Sequence, residues 1–148
     1  MSDDKQEERE EIELTSGIAA FETKQFSRAI QFLSPLAECG NADAQYRVAI
    51  MRQNGLGVVR NEAEALRWMR AAADQGHALA CHGLGFMYLQ GECVERNGPE
   101  AVKWFRRAAE QGLAGSQTTL GMMYAEGNGV EKDPEEARKW YRMAGFER

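Results

Sequence analysis

The sequence predicts an all-α chain of about four helical hairpins in a row. Three observations predict it. Residues 41–76, 77–112 and 113–148 align as three blocks of 36 without a gap, and nine columns are identical in all three. Within each block, small and apolar residues recur at helical spacing on both sides of a short, Gly-marked break. Residues 12–40 read as a shorter, divergent copy of the same hairpin.

The identical columns begin with Ala42/Ala78/Ala114, Met51/Met87/Met123, Gly55/Gly91/Gly127 and Val58/Val94/Val130. They continue with Glu64/Glu100/Glu136, Ala65/Ala101/Ala137, Trp68/Trp104/Trp140, Arg70/Arg106/Arg142 and Ala72/Ala108/Ala144. The first helix of a block runs from about Ala42 to Gln53, and Gly55 or its equivalent ends it, as a left-handed C-terminal residue does. After a short loop, Asn61/Glu64, Asn97/Glu100 and Asp133/Glu136 form an N-cap with a capping-box Glu. Pro134 falls on the first helical position, where its missing N–H costs nothing. The second helix carries the Trp and stops at Gly76 or Gly112, a glycine the last block lacks at that place. In the divergent hairpin, Gly17, Ala20, Phe21, Phe26, Ala29, Ile30, Leu33 and Leu36 have helical spacing, the loop shrinks to Thr23–Gln25, and Pro35 is placed to bend the second helix.

Composition narrows the function classes. The 148 residues suit one domain able to bury a core without staples. The net charge of −5 argues against a general nucleic-acid binder. All of it lies in residues 1–13, with seven acids and two bases; the remainder balances 16 against 16. No apolar run is long enough for a membrane span, and the polar start at Met1–Glu11 is unlike a signal peptide. Cys39, Cys81 and Cys93 are few and form no C-x-x-C pair, which fits reduced thiols in a cytoplasm. Cys81 and His82 point about 100° apart on a helix and have no further ligand at metal spacing, so neither metal nor cofactor is expected. Gly55-x-Gly57 and Gly83-x-Gly85 lack the third glycine and preceding strand of a dinucleotide loop. With no G-x-S-x-G, H-E-x-x-H or P-loop, the chain reads as non-catalytic.

The run Ala-x-Ser-Gln-x-x-x-Leu-Gly-x-Met-Tyr-x-x-Gly-x-Gly-Val-x-x-Asp from Ala114 to Asp133, followed by Ala137-x-x-Trp140-Tyr141-x-x-Ala144, resembles the Sel1-like repeat, a relative of the tetratricopeptide repeat. The resemblance covers residues 41–148 well and 12–40 weakly, and leaves 1–11 as an acidic N-terminal segment. It implies a right-handed α/α superhelix, or solenoid, and a role in protein–protein interaction. Two residues depart from the pattern. Arg52 replaces Tyr88 and Tyr124, and Cys93 replaces Gly57 and Gly129, which strains Cys93 if the loop needs positive φ.

By the same resemblance, the first helices line a concave face. The positions it leaves free there are Tyr46, Ile50 and Gln53; Leu79, His82, Phe86 and Leu89; and Thr118, Met122 and Ala125, with Leu14, Ile18 and Phe21 in the first hairpin. Tyr46, Ile50, Gln53, Leu79, His82, Phe86, Leu89 and Met122 are the candidate partner-binding residues, an apolar set suited to a peptide or partner helix. A second feature is a basic stripe of Arg67/Arg70, Lys103/Arg106 and Lys139/Arg142, read as a solvated face part-neutralised by the Glu one turn before. A third is the last hairpin, where Trp140, Tyr141, Met143 and Phe146 suggest an open apolar end and a possible homo-oligomer. The acidic head reads as a solubilising start, with docking on a basic stripe the sharper alternative. The resulting expectation is a cytoplasmic adaptor or scaffold that binds a protein or peptide, with no nucleic acid, membrane, metal or cofactor. The alternative is a regulator or inhibitor that sequesters a specific enzyme or toxin.

Overall fold

The computed structural model describes residues 3–146, so Met1, Ser2, Glu147 and Arg148, at the edges of the acidic segment and of the last block, lie outside the described residues. Eight helices and no strand occur among them. They are α1 (Asp3–Glu22), α2 (Phe26–Glu38), α3 (Ala42–Asn54), α4 (Glu62–Asp74), α5 (Ala78–Gln90), α6 (Gly98–Glu110), α7 (Ala114–Glu126) and α8 (Pro134–Met143). The chain divides into two compact units, Met1–Ala72 and Ala73–Arg148, with the division in the last turn of α4.

In the first unit, α1 packs on α2, and α2 on α3. Residues 3–11 of the acidic segment form the N-terminal half of α1 itself. Residues 3–9 are all exposed, and the buried face begins only with Gly17 and Ala20. A side chain at Gly17 would lie 2.6 Å from Leu33, so glycine lets α1 and α2 close together. Pro35 sits inside α2 without ending it, and the helix runs on to Glu38.

One loop design serves all three blocks. The C-terminal residues Gly55, Gly91 and Gly127 take φ of 67°, 69° and 68° and donate back to the carbonyls of Met51, Met87 and Met123. The backbone N–H of Asn61, Asn97 and Asp133 then returns to the carbonyls of Arg52, Tyr88 and Tyr124, at 2.8, 2.9 and 2.9 Å. Arg52 serves the loop in the place of tyrosine through its carbonyl, which takes the Asn61 N–H, and through its guanidinium, which donates to the Val59 carbonyl at 3.1 Å. Cys93 does take positive φ, 65°, in the loop place held by Gly57 and Gly129.

The side chains of Asn61, Asn97 and Asp133 cap the second helices, as the spacing predicts. The glutamates do not complete a capping box. The N–H they would accept from is already bonded to the first helix, so the carboxylates turn to the core tryptophans instead. Glu64 accepts from Trp68 Nε1 at 3.1 Å, and Glu100 from Trp104 Nε1 at 3.2 Å. In the third block Glu136 lies beside Lys139 (3.8 Å) and Arg106 (4.0 Å), and the buried Trp140 indole N–H has no hydrogen-bond partner among the described residues.

The second helices of blocks one and two end at Gly76 and Gly112, with φ of 85° and 94°. In block three Gly145, φ 99°, takes the same role, and Phe146 N–H bonds the Tyr141 carbonyl as Leu113 N–H bonds that of Ala108. That stop comes three residues early and leaves α8 with 10 residues where α6 has 13.

The second unit packs α5 on α6, α6 on α7, and α7 on α8. A Cβ at Gly85 would lie 2.9 Å from the Phe105 ring, and one at Gly121 2.8 Å from the Tyr141 ring. The Gly83-x-Gly85 pair therefore marks a close helix approach. A side chain from each first helix reaches back to the preceding hairpin. Gln45 Nε2 donates to the Ala37 carbonyl (3.1 Å), and Gln117 Nε2 to that of Ala109 (3.0 Å). Cys81 holds the same place in block two, fully buried, with Sγ 3.5 Å from the Ala73 carbonyl. Burial raises its thiol pKa, Arg107 opposes the shift and Asp74 adds to it, so Cys81 is a packing residue held protonated.

Candidate partner-binding face

In the first unit, α3 presents Tyr46, Ile50 and Gln53, all half-buried. Burial raises the Tyr46 hydroxyl pKa, partly offset by neighbouring Arg47. Arg47 lies over the Phe21 ring at 5.6 Å and pairs with Asp43 at 3.3 Å, so it stiffens this part of α3. Leu14, Ile18 and Phe21 of α1 are likewise half-buried.

In the second unit, Leu79 is 44 % and Met122 48 % exposed, whereas His82, Phe86 and Leu89 are half-buried. The structure brings His82, Phe86 and the core residue Phe105 into one edge-to-face cluster. The centroid distances are 4.9 Å for His82–Phe86, 4.9 Å for Phe86–Phe105 and 5.5 Å for His82–Phe105. His82 Nδ1 lies 2.6 Å from Ser116 Oγ on α7. Desolvation lowers the His82 pKa. Phe86 and His82 thus combine packing with display, while Leu79 and Met122 stand out from the surface. Thr118 bonds its own helix through Ala114, and Ala125 is half-buried.

Sequence reasoning missed Ser116. Its signal was a departure from the repeat: Ser116 stands at a buried position that blocks one and two fill with Ala44 and Ala80.

The basic stripe is largely spent within the hairpins. Arg67 lies over Trp68 (4.4 Å), Lys103 over Trp104 (5.2 Å) and Lys139 over Trp140 (5.5 Å), each cation one residue before the ring it covers. Arg67 also pairs with Glu64 at 3.5 Å and Glu38 at 3.9 Å. Arg106 bonds the Tyr124 hydroxyl. The acids of residues 3–13 form no ion pair among the described residues.

At the last hairpin one expectation is corrected. Trp140 is only 2 % exposed because it fills the hairpin core, as Trp104 does, and it cannot belong to an association surface. Tyr141 is half-buried against Gly121 and meets Phe146 edge-on at 6.1 Å. Met143 and Phe146 remain open, at 51 % and 54 % exposure.

No cluster of three His, Cys, Asp or Glu able to hold a metal occurs among the described residues, and no helix is long and apolar enough to cross a membrane. None of the three cysteines is in a disulfide: Cys39 is exposed, Cys93 half-buried and Cys81 buried.

Residues 42–77, 78–113 and 114–145 each match the Sel1 repeat. The chain belongs to the Sel1 repeat family. Its fold is that of known Sel1 structures. It is similar to a Sel1 repeat protein from Oxalobacter formigenes, at 36 % identity and a TM-score of 0.84, over 89 % of this chain and 53 % of that one. It is also similar to c5321, a protective antigen of uropathogenic Escherichia coli with an SLR fold, at 36 % identity and a TM-score of 0.86, over 95 % of this chain and 32 % of that one. The chain therefore spans about half of the first relative and about a third of the second. The Helicobacter pylori cysteine rich protein B shares the fold at 20 % identity and a TM-score of 0.64, over 83 % of this chain and 90 % of that one. A comparison with curated protein sequences gives no match. Sel1 repeats are generally protein–protein interaction modules on a typically non-catalytic scaffold.

Proposed function

We propose that this Sel1 repeat chain is a non-catalytic adaptor or scaffold that binds a partner protein or peptide on its first-helix faces. The observation that carries this reading is α5. Its 13 residues hold no Asp, Glu, Lys or Arg, yet Leu79 stands 44 % exposed on it, with Met122 48 % exposed on α7. A helix that is apolar all round belongs in an interior or under a partner. Partner side chains would bury against Leu79, Phe86, Leu89 and Met122 in the second unit and against Tyr46 and Ile50 in the first. Rigid helices supply this surface already ordered, which lowers the entropy cost of binding.

Two subsidiary proposals accompany it. Three cysteines that form no disulfide are what a cytoplasmic, reducing compartment would leave. Exposed Met143 and Phe146 support self-association through the last hairpin.

The test is selection of a random dodecapeptide display library on the purified chain, followed by binding measurements on the enriched peptides. Leu79→Glu should abolish their binding while the circular dichroism spectrum stays unchanged. Equal binding to the wild type and to this variant would remove the α5 face as the site.

A further inference from the structure

His82 and Ser116 leave the repeat pattern together. The His82 position holds Tyr46 in block one and Thr118 in block three, and the Ser116 position holds Ala44 and Ala80. A polar pair thus joins two first helices where the other blocks offer no such partner residues.

The pair fixes where the imidazole proton sits. Ser116 is fully buried, and its Oγ makes no hydrogen bond other than the one to His82 Nδ1 among the described residues. A hydroxyl has one proton to donate. If Nδ1 accepts it, both groups are satisfied. If Nδ1 carries a proton, Ser116 must accept, and its own O–H is left buried without a partner, which folded interiors avoid.

The other ring nitrogen is left open. Nε2 makes no hydrogen bond within the protein among the described residues. The Cε1–Nε2 edge lies beside exposed Gly115, where a Cβ would come 3.5 Å from Cε1 and 3.8 Å from Nε2. Blocks one and two hold Asp43 and Leu79 at that place. Glycine there leaves the ring edge uncovered, while Phe86 and Phe105 hold the ring's orientation.

We infer that Ser116 holds His82 as the Nε2–H tautomer, and that this N–H is the directional donor of the α5 face, taking a main-chain carbonyl oxygen of an apolar partner peptide. The inference rests on the partner-binding reading above. The neutral acceptor follows from the same proton count. A carboxylate at Nε2 would favour the imidazolium, which puts a proton on Nδ1 and strands the Ser116 hydroxyl. A carbonyl leaves the ring neutral. On the same two helices, exposed Leu79 and Met122, with the Phe86 ring beside His82, offer apolar contact and no charge, so the donor would set the register of the bound chain.

Two measurements test this on the full chain. Long-range proton–nitrogen NMR of the free, 15N-labelled protein at neutral pH should show His82 Nε2 protonated and Nδ1 bare; the opposite tautomer overturns the inference. The peptides enriched from the dodecapeptide library should then bind the double variant His82→Phe with Ser116→Ala about threefold to tenfold more weakly, the worth of one hydrogen bond. That variant keeps an aromatic residue at the first position and restores the alanine of the other blocks at the second. His82→Gln, whose amide nitrogen falls near the Nε2 position, should recover part of the loss and serves if the double variant folds poorly. Equal binding by wild type and double variant overturns the role of His82 while the face itself stands. Loss of the His82 dependence when a shared Asp or Glu of the peptides is replaced by Asn overturns the carbonyl. No enrichment over the Leu79→Glu protein overturns the face, and this inference with it.

Discussion

Within residues 73–148, the first helices α5 and α7 and the second helices α6 and α8 solve burial in opposite ways. The second helices are strongly amphipathic. Trp104 and Trp140 face inward, Lys103, Arg106 and Lys139 lie over the rings, and Arg106 and Lys139 also meet Glu136 or the Tyr124 hydroxyl. Their outer faces are polar and self-contained. The first helices have no such face. α5 has no Asp, Glu, Lys or Arg, and α7 has one, Glu126. Gly85 and Gly121 let aromatic rings press against one side, and what remains outside on the other is Leu79 and Met122. The second helices close the fold, and the first helices leave apolar side chains exposed, where the proposed binding face lies.

The sharpest way to break this contrast is at the tryptophan. Trp104→Ala removes a residue only 3 % exposed and strands the Glu100 carboxylate that accepted from it. Urea unfolding should show a loss of about 3–5 kcal/mol. A loss near zero would mean that the second helices do not hold the hairpins as described.

A middle-sized effect separates display from packing at His82. His82→Phe alone leaves the buried Ser116 hydroxyl without a partner and should cost about 1–3 kcal/mol, whereas adding Ser116→Ala should recover most of it. Additive costs would contradict the pairing. The same site predicts a pH dependence. The ordinary imidazole value is 6.5, and burial lowers it in the folded chain. The unfolded chain therefore takes up the proton first. Stability is full above about 6.5, falls as pH drops below it, and levels off once the folded site is protonated too. On α5 and α7, the first-helix elements at the pair, the nearest charged side chain in sequence is Glu126, and α6 contributes the uncharged Phe105 ring. The double variant should lose this share of the acid sensitivity in unfolding curves taken from pH 7.5 down to about pH 5.

Much of this was legible in the sequence, and the failures have physical causes. The blocks, the Asn61, Asn97 and Asp133 caps and the positive φ of Cys93 follow from local backbone demands that a spacing records. The capping-box role of Glu64 and Glu100 failed because their N–H partners were already bonded across the hairpin, a nonlocal fact. The early stop at Gly145 was hidden by a glycine three residues out of register. Of the candidate site, which the family resemblance suggested, Leu79 and Met122 are exposed and the other six residues half-buried, because each first helix also packs on its neighbours. The His82–Ser116 bond joins residues 34 apart and shows in sequence only as two departures from the repeat.

The smallest effect sharpens the second-helix side. Lys103→Ala removes a cation that covers Trp104 from an exposed position, and should change stability by no more than about 0.5–1 kcal/mol and leave peptide binding untouched.

The central claim is that partners are held by the first helices. Its most direct test is an amide NMR footprint of the labelled chain as a library-selected dodecapeptide is added. The account predicts that the largest shifts fall on Leu79–Leu89 of α5 and on the Met122 turn of α7, with the outer residues of α6 and α8 unmoved. Shifts centred on Lys103, Arg107 and Lys139 would contradict it.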